Sequence, residues 1–370
     1  MSISKTNRLL SVDVFRGLTM AAMILVNNPG SWEYIYPPLE HAHWNGCTPT
    51  DLIFPFFLFI VGMAIPFALG KRKLAGADNG KIIVKILRRS AILFALGLLS
   101  YLFPYFDFAN MRIPGVLQRI AVVYFFASFI FLFFHKKGQR NIAVIILLGY
   151  WALMTLMPVP GHGPANLNPD TNLAAWLDHS LMAGHMWLEK SDPEGLLSTL
   201  PSIATAILGI LAGTWIKSRR EEYQKVSGLL ISGALLTLAG LAWDMVFPIN
   251  KSLWTSSYVL YTGGLALTTF GIIYWLVDVK KSRNWTLPFT AYGANCLAVY
   301  MASGFVSSAF YTIEISNGAS TISMHEYLYG NLFASWLSPI NASAAWAFSL
   351  ILLWLIPMII LYKKKIYIKI

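Results

Sequence analysis

The chain has 370 residues, of which 56% are hydrophobic and only 12% charged, with a formal net charge of +11. Soluble domains carry about 25% charged residues, and several apolar runs here reach the ~20 residues that a spanning helix needs, so the composition excludes an ordinary soluble enzyme. The positive charge does not mark a nucleic-acid binder, because it is gathered in short clusters between apolar runs (Lys71-Arg72-Lys73, Lys136-Lys137, Arg219-Arg220, Lys280-Lys281 and Lys363-Lys364-Lys365), the pattern of cytoplasmic loops.

Ten spans are predicted, at 9–28, 50–70, 84–104, 114–134, 141–157, 196–216, 226–247, 256–277, 287–310 and 344–362. Runs of this length are about twice that of a barrel strand, so helices are the spanning elements. The expected fold is all-α: one polytopic domain over 1–370 with about ten transmembrane helices. Lys5 and Arg8 precede the first span as in a signal peptide, but Asp13 and Arg16 interrupt its start and no convincing cleavage site follows, so it reads as an uncleaved span. Of the 28 Lys and Arg residues, only Arg112, Arg119, Lys190 and Lys251 fall outside the expected cytoplasmic side and its edge. Both termini are therefore expected in the cytoplasm, with residues 29–49 facing outward.

Along the first span, Asp13 and Arg16 share a helix face at i,i+3. They form either an ion pair at the membrane edge or, through Arg16, a contact for an anionic ligand arriving from the cytosol. Between the first and second spans, Asn27, Glu40, His41, His43, Trp44, Asn45 and Asp51 fall within 25 positions. Polar groups at membrane depth are costly and usually mark a substrate path or reaction centre. Two histidines near an acid suit a metal, but no further His or Cys stands at ligand spacing, and no metal is expected. The remaining readings are a histidine satisfied in its loop, or a general base oriented by Asp51 or Asn27.

Arg112, Gln118 and Arg119 bring charge and an amide to the start of the fourth span. The fifth is short and closed by Pro158 and Pro160, and the long outer segment 158–195 that follows is functional or mobile. Asp192-Pro193-Glu194-Gly195 opens the sixth span. Its acids either favour the helix N-terminus or bind a cationic or hydroxyl-rich substrate. Asn250 and Lys251 stand at the mouth of the eighth span, before Leu253-Trp254, and most tryptophans fit an interfacial belt. A second long outer loop covers 311–343. Cys47 is expected outside and Cys296 within a span, so no disulfide is predicted.

In this order, the segments Ser11–Gly17, His41–Pro55, Arg112–Ala121, Asp192–Gly213 and Pro248–Tyr258 resemble the transmembrane acyltransferase family of heparan-alpha-glucosaminide N-acetyltransferase and its bacterial relatives. Bacterial members also resemble an inner-membrane protein found with N-acetylglucosamine utilisation genes. The resemblance covers about two thirds of the chain and only the membrane core, without the lysosomal enzyme's N-terminal luminal region. It implies transfer of an acetyl group from cytosolic acetyl-CoA to the amine of glucosamine, or of a terminal glucosaminide, on the far side of the membrane. The histidine assigned to catalysis corresponds to His41, and Asn27 and Asp51 correspond to the reaction centre. His43 stands where the lysosomal enzyme has a smaller residue.

On this reading Asn27 donates to the developing oxyanion and Asp51 orients the imidazole. Asp192 and Glu194 attract the amine, while His43, Trp44, Asn45, Asn250 and Lys251 face the acceptor. Arg16, Arg88, Arg89, Gln118 and Arg119 hold the donor. A route through an acetylated His41 is also open. The expected setting is the bilayer of a bacterial inner membrane, and the resemblance favours a homodimer. Competing readings are an amino-sugar transporter and an O-acetyltransferase of a surface polysaccharide. No inverted repeat supports the transporter.

Overall fold

Apolar runs long enough to satisfy all their backbone groups internally become helices in lipid, and that rule accounts for most of the architecture. The computed structural model describes residues 9–76, 78–317 and 320–368; Lys5, Arg8 and the side chains of Lys71 and Arg72 lie outside the described residues. The helices are α1 (Leu10–Asn27), α2 (Ile53–Leu74), α3 (Asn79–Leu102), α4 (Val116–Phe133), α5 (Lys136–Leu156), α6 (Leu173–Met182), α7 (Leu196–Ile216) and α8 (Glu222–Asp244). They continue with α9 (Ser256–Tyr274), extended by a π turn over Trp275–Val279, then α10 (Leu287–Ala294), α11 (Cys296–Thr312), α12 (Met324–Tyr329) and α13 (Pro339–Lys363). A two-stranded antiparallel hairpin, β1 (Glu314–Asn317) and β2 (Ser320–Ser323), precedes α12. The fold is that of an all-α polytopic membrane protein.

Among the described residues, eight helices are long and apolar enough to cross a membrane: α1, α2 with its preceding turn, α4, α5, α7, α8, α9 with its π turn, and α13. The other two expected spans differ in kind. The third lies in α3, which has 24 residues, but Lys81, Lys85, Arg88 and Arg89 occupy its first half. The ninth is broken in two at Asn295, where φ is −128° and ψ 35°. There the side-chain amide donates to Ile366 O (3.0 Å) and accepts from Ile368 N (2.8 Å), so the C-terminal residues fill the break. Hydropathy cannot register this interruption because both flanks are apolar. The two long connecting segments, 158–195 and 311–343, contain elements of their own. The first contains α6, capped by Asn172 Oδ1 on Ala175 N. The second contains the hairpin and α12, which starts on a capping box of Ser323 and Glu326.

Without a hydrophobic drive between helices in lipid, close approach of small residues supplies the packing. A Cβ on Gly62 of α2 would fall 2.0 Å from Ala206 O of α7, and one on Gly209 of α7 would fall 2.0 Å from Phe59 O. Gly17 and Gly293 bring α1 and α10 together in the same way. By burial, α1, α2, α4, α7 and α9 form the inner layer. The helices α8 and α13 expose Leu235, Leu238, Leu352 and Leu353, as a lipid-facing layer does.

Candidate active site

The turn that starts α2 builds the centre of the site. Thr48-Pro49-Thr50-Asp51 forms a capping box, in which the Asp51 side chain reaches back to the Thr48 amide. Asp51 Oδ2 accepts from Thr48 N (3.0 Å), Thr48 Oγ1 (3.1 Å) and Ala42 N (3.0 Å). Oδ1 is left for His41 Nδ1 at 2.7 Å. A carboxylate only accepts, so Nδ1 carries the hydrogen and the lone pair is on Nε2. The Asp51 carboxylate is 2% exposed and the imidazole 51%, so a buried anion holds a half-exposed ring.

The segment between α8 and α9 closes the other side. Lys251 Nζ lies 3.0 and 3.2 Å from the two ring nitrogens of His41 and 3.6 Å from Asp51 Oδ1. Burial draws this ammonium below the usual lysine range, while the Asp51 and Glu194 carboxylates oppose that shift. The two loops are clamped by Gly46 N on Ile249 O (2.7 Å), with Gly46 at φ +108°, and by Asn250 Nδ2 on Asn45 Oδ1 (3.2 Å). Tyr258 OH donates to the backbone carbonyl of Asp51. Beside it Trp254, fully buried, adopts φ +51°, an uncommon conformation for a bulky residue. Its ring packs edge-on against Phe54 and Tyr258, and its Nε1 donates to Thr205 Oγ1.

Trp254 also joins this centre to a second polar cluster, because the Arg119 guanidinium lies over its ring at 5.1 Å. Arg119 donates through Nη2 to Gly195 O and Ser198 Oγ; its Nε and Nη1, and both polar atoms of the Gln118 amide, are buried without a partner among the described residues. Arg112 grips Asp192 with two bonds (Nε–Oδ2 2.8 Å, Nη2–Oδ1 2.5 Å), takes Glu194 Oε2 at 2.5 Å and Tyr101 OH at 3.0 Å, and lies beneath the Trp187 ring. Asp178 of α6 accepts from Leu196 N and so caps α7. Burial, with the Asp192 charge nearby, pushes the Asp178 carboxyl up to about 6. Cys47, in the outer loop, is pushed up to about 12 by burial and by Asp51.

The structure brings His41, Asp51 and Lys251 together. Asn27 is exposed at the end of α1 and makes no hydrogen bond to His41 or Asp51 among the described residues. His43 is exposed, without a hydrogen bond among the described residues. Trp44 donates to Leu167 O. Asn250 is fully buried and spends its amide on the loops. Asp192 turns inward to Arg112, and α7 begins only at Leu196, after the turn containing Pro193.

Of the expected donor residues, Arg16 bonds Gly293 O and Asp13, whereas Arg88 and Arg89 are exposed, with Arg89 over the Tyr124 ring. The Arg16 and Arg89 charges both reach Cys296. Gln118 and Arg119 sit elsewhere. Gln118 packs where a Cβ on Gly97 would lie. Gly97 is eight residues along α3 from Arg89, about 12 Å at 1.5 Å per residue. The sequence reading missed Thr48, Tyr258, Trp254 and Asp178. Only the first carried a local signal, the Thr-x-x-acid capping pattern.

A family model described as heparan-alpha-glucosaminide N-acetyltransferase, catalytic, matches residues 8–242. The chain is 30% identical to heparan-alpha-glucosaminide N-acetyltransferase of Mus musculus over 426 residues, covering 99% of this chain and 61% of the relative. It is likewise 30% identical to the protein of that name from Homo sapiens over 420 residues, covering 98% of this chain and 60% of the relative. The chain thus spans about three fifths of the length of these relatives.

Proposed function

From its membership of the heparan-alpha-glucosaminide N-acetyltransferase family, we propose that this multi-pass membrane protein moves an acetyl group from cytosolic acetyl-CoA to the amine of glucosamine or a terminal glucosaminide on the outer side of a bacterial inner membrane. The observation that carries the reading is the His41–Asp51 pair. A buried, fully hydrogen-bonded carboxylate fixes the imidazole by Nδ1, puts the lone pair on Nε2 and leaves the ring half exposed. That is the arrangement a general base needs.

A glucosamine amine attacks only when neutral, and His41 Nε2 takes the proton that the attack releases. Arg16, Arg88 and Arg89 suit the phosphates of the donor. Gln118 of α4, which meets Gly97 of α3, and its neighbour Arg119 carry buried polar atoms without hydrogen-bond partners among the described residues, which suits the amides of an extended arm ending at the thioester. Arg119 touches Trp254, whose neighbour Tyr258 bonds Asp51, so that end leads to the base. A reaction among buried helices also shields the thioester from water.

The test is acetyl transfer from acetyl-CoA to glucosamine by purified protein in detergent, with His41→Ala and His43→Ala. Product from wild type and His43→Ala, and none from His41→Ala, is the expected result. One feature favours an amino-sugar transporter instead, the interrupted helix at Asn295, since transporters use discontinuous helices. Sugar uptake into proteoliposomes without acetyl-CoA, with no acetylated product, would replace the enzyme reading.

A further inference from the structure

Resting on the transferase reading, we infer that Lys251 is a catalytic residue whose ammonium holds the oxyanion formed when the acceptor amine attacks the acetyl thioester. Acyl transfer needs a donor aimed at the oxygen on which negative charge develops, and this is often the largest catalytic contribution. Five donors near His41 are committed: Ala42 N, Thr48 N and Thr48 Oγ1 to Asp51, Tyr258 OH to the Asp51 carbonyl, and Asn250 Nδ2 to Asn45. Asn27, at the end of α1, makes no hydrogen bond to His41, Asp51 or Lys251 among the described residues.

Lys251 has three ammonium hydrogens and stands 3.0 and 3.2 Å from the two ring nitrogens. With Nδ1–H given to Asp51, the lone pair that Nζ meets on the ring is that of Nε2, and this contact yields as the incoming amine takes its place. A carbonyl whose attacker sits on Nε2 comes within reach of Nζ. The lysine side chain is only 20% exposed, so its charge acts through a medium of low dielectric. A cation here is also poorly suited to bind a protonated amine, which separates this role from simple acceptor binding.

The step balances as follows. The neutral amine nitrogen forms a bond to the thioester carbon, and the carbonyl pair moves to oxygen beside Lys251. Collapse restores the C=O bond and expels the coenzyme A thiolate. The amine proton passes to His41 Nε2 and then to the thiolate or solvent.

The groups that face Lys251 are His41, Cys47 and Asp51 from the α1–α2 connection, and Glu194 from the turn before α7. The experiment measures kcat and both KM values of the full chain in detergent, from pH 6 to 10, for wild type, Lys251→Met and Lys251→Arg. Lys251→Met should lose about 10²–10³ in kcat with KM for acetyl-CoA and glucosamine within about threefold. Lys251→Arg should recover part of the rate and move the alkaline limb upward, because a guanidinium does not titrate there. A kcat within a few-fold of wild type in Lys251→Met, a loss confined to glucosamine KM, or an alkaline limb unchanged in Lys251→Arg would each overturn the assignment. If Lys251→Met fails to fold, the Lys251→Arg profile decides alone. A wild type that makes no product at all overturns the transferase reading itself, and the inference falls with it.

Discussion

Asp51 holds His41 by a single 2.7 Å bond to Nδ1, while its second oxygen takes three hydrogen bonds from Ala42 and Thr48. The carboxylate is therefore fixed by the backbone before it meets the imidazole. The ring's orientation is inherited from the turn that starts α2, and any change at Asp51 is transmitted to the base.

Asp51→Asn should keep the shape of this turn but offer an amide NH₂ where Nδ1 needs an acceptor. The ring would then switch tautomer and lose its free Nε2 lone pair. We expect a fall in kcat of about 10²–10⁴, similar to that of His41→Ala, with glucosamine KM little changed. Steady-state kinetics of the two variants check this; near-wild-type kcat in Asp51→Asn would remove the orienting role.

Arg112→Met should destabilise the protein by about 3–5 kcal/mol, since it strands buried carboxylates at Asp192 and Glu194, 0% and 11% exposed. Thermal unfolding in detergent measures it. The double variant with Asp192→Asn should recover part of the loss, because one stranded charge is gone; purely additive losses would show that the cluster is not coupled.

Stability should depend on pH through Asp178. Its carboxyl is pushed up to about 6 by burial, so the fold favours the neutral form. That contribution is complete below about pH 4 and is lost as pH rises through about 6. Asp178→Asn retains an acceptor for Leu196 N and cannot ionise. Relative to wild type it should gain stability, up to about 3 kcal/mol, as pH goes from 4 to 7. Parallel melting curves for the two proteins across that range would contradict the account.

Cys47, 4 residues from Asp51 in the chain and pushed up to about 12 by burial and that charge, stays a thiol at neutral pH. Thiolate, not thiol, is the nucleophile. Cys47→Ser should therefore keep its transfer rate within about threefold, and maleimide should label position 47 far more slowly than an ordinary exposed thiol, whose pKa is about 8.5. Rapid labelling at pH 7, or an inactive serine variant, would point to an acetyl-cysteine route.

The crowd of polar residues around His41 was legible because it is local in the chain; the capping pattern Thr48-x-x-Asp51 is equally local but was missed. The helical class was legible for a related reason: backbone in lipid has few ways to satisfy its hydrogen bonds, so long apolar runs become helices. The break at Asn295 was not legible. It depends on Ile366 and Ile368, which are 71 and 73 positions away.

By itself, then, the chain determined an all-α membrane protein and a polar centre near His41, through periodicity, length and local spacing. The tertiary structure alone decided that Lys251, 210 positions from His41, sits over its ring, that Arg112 consumes Asp192, and that the buried amide of Gln118 lies apart from Arg88 and Arg89. Those relations come from how α3, α4, α7 and α9 pack. Packing joins residues that no sequence interval connects, because side chains interact through space at a few ångströms, whatever their separation along the chain.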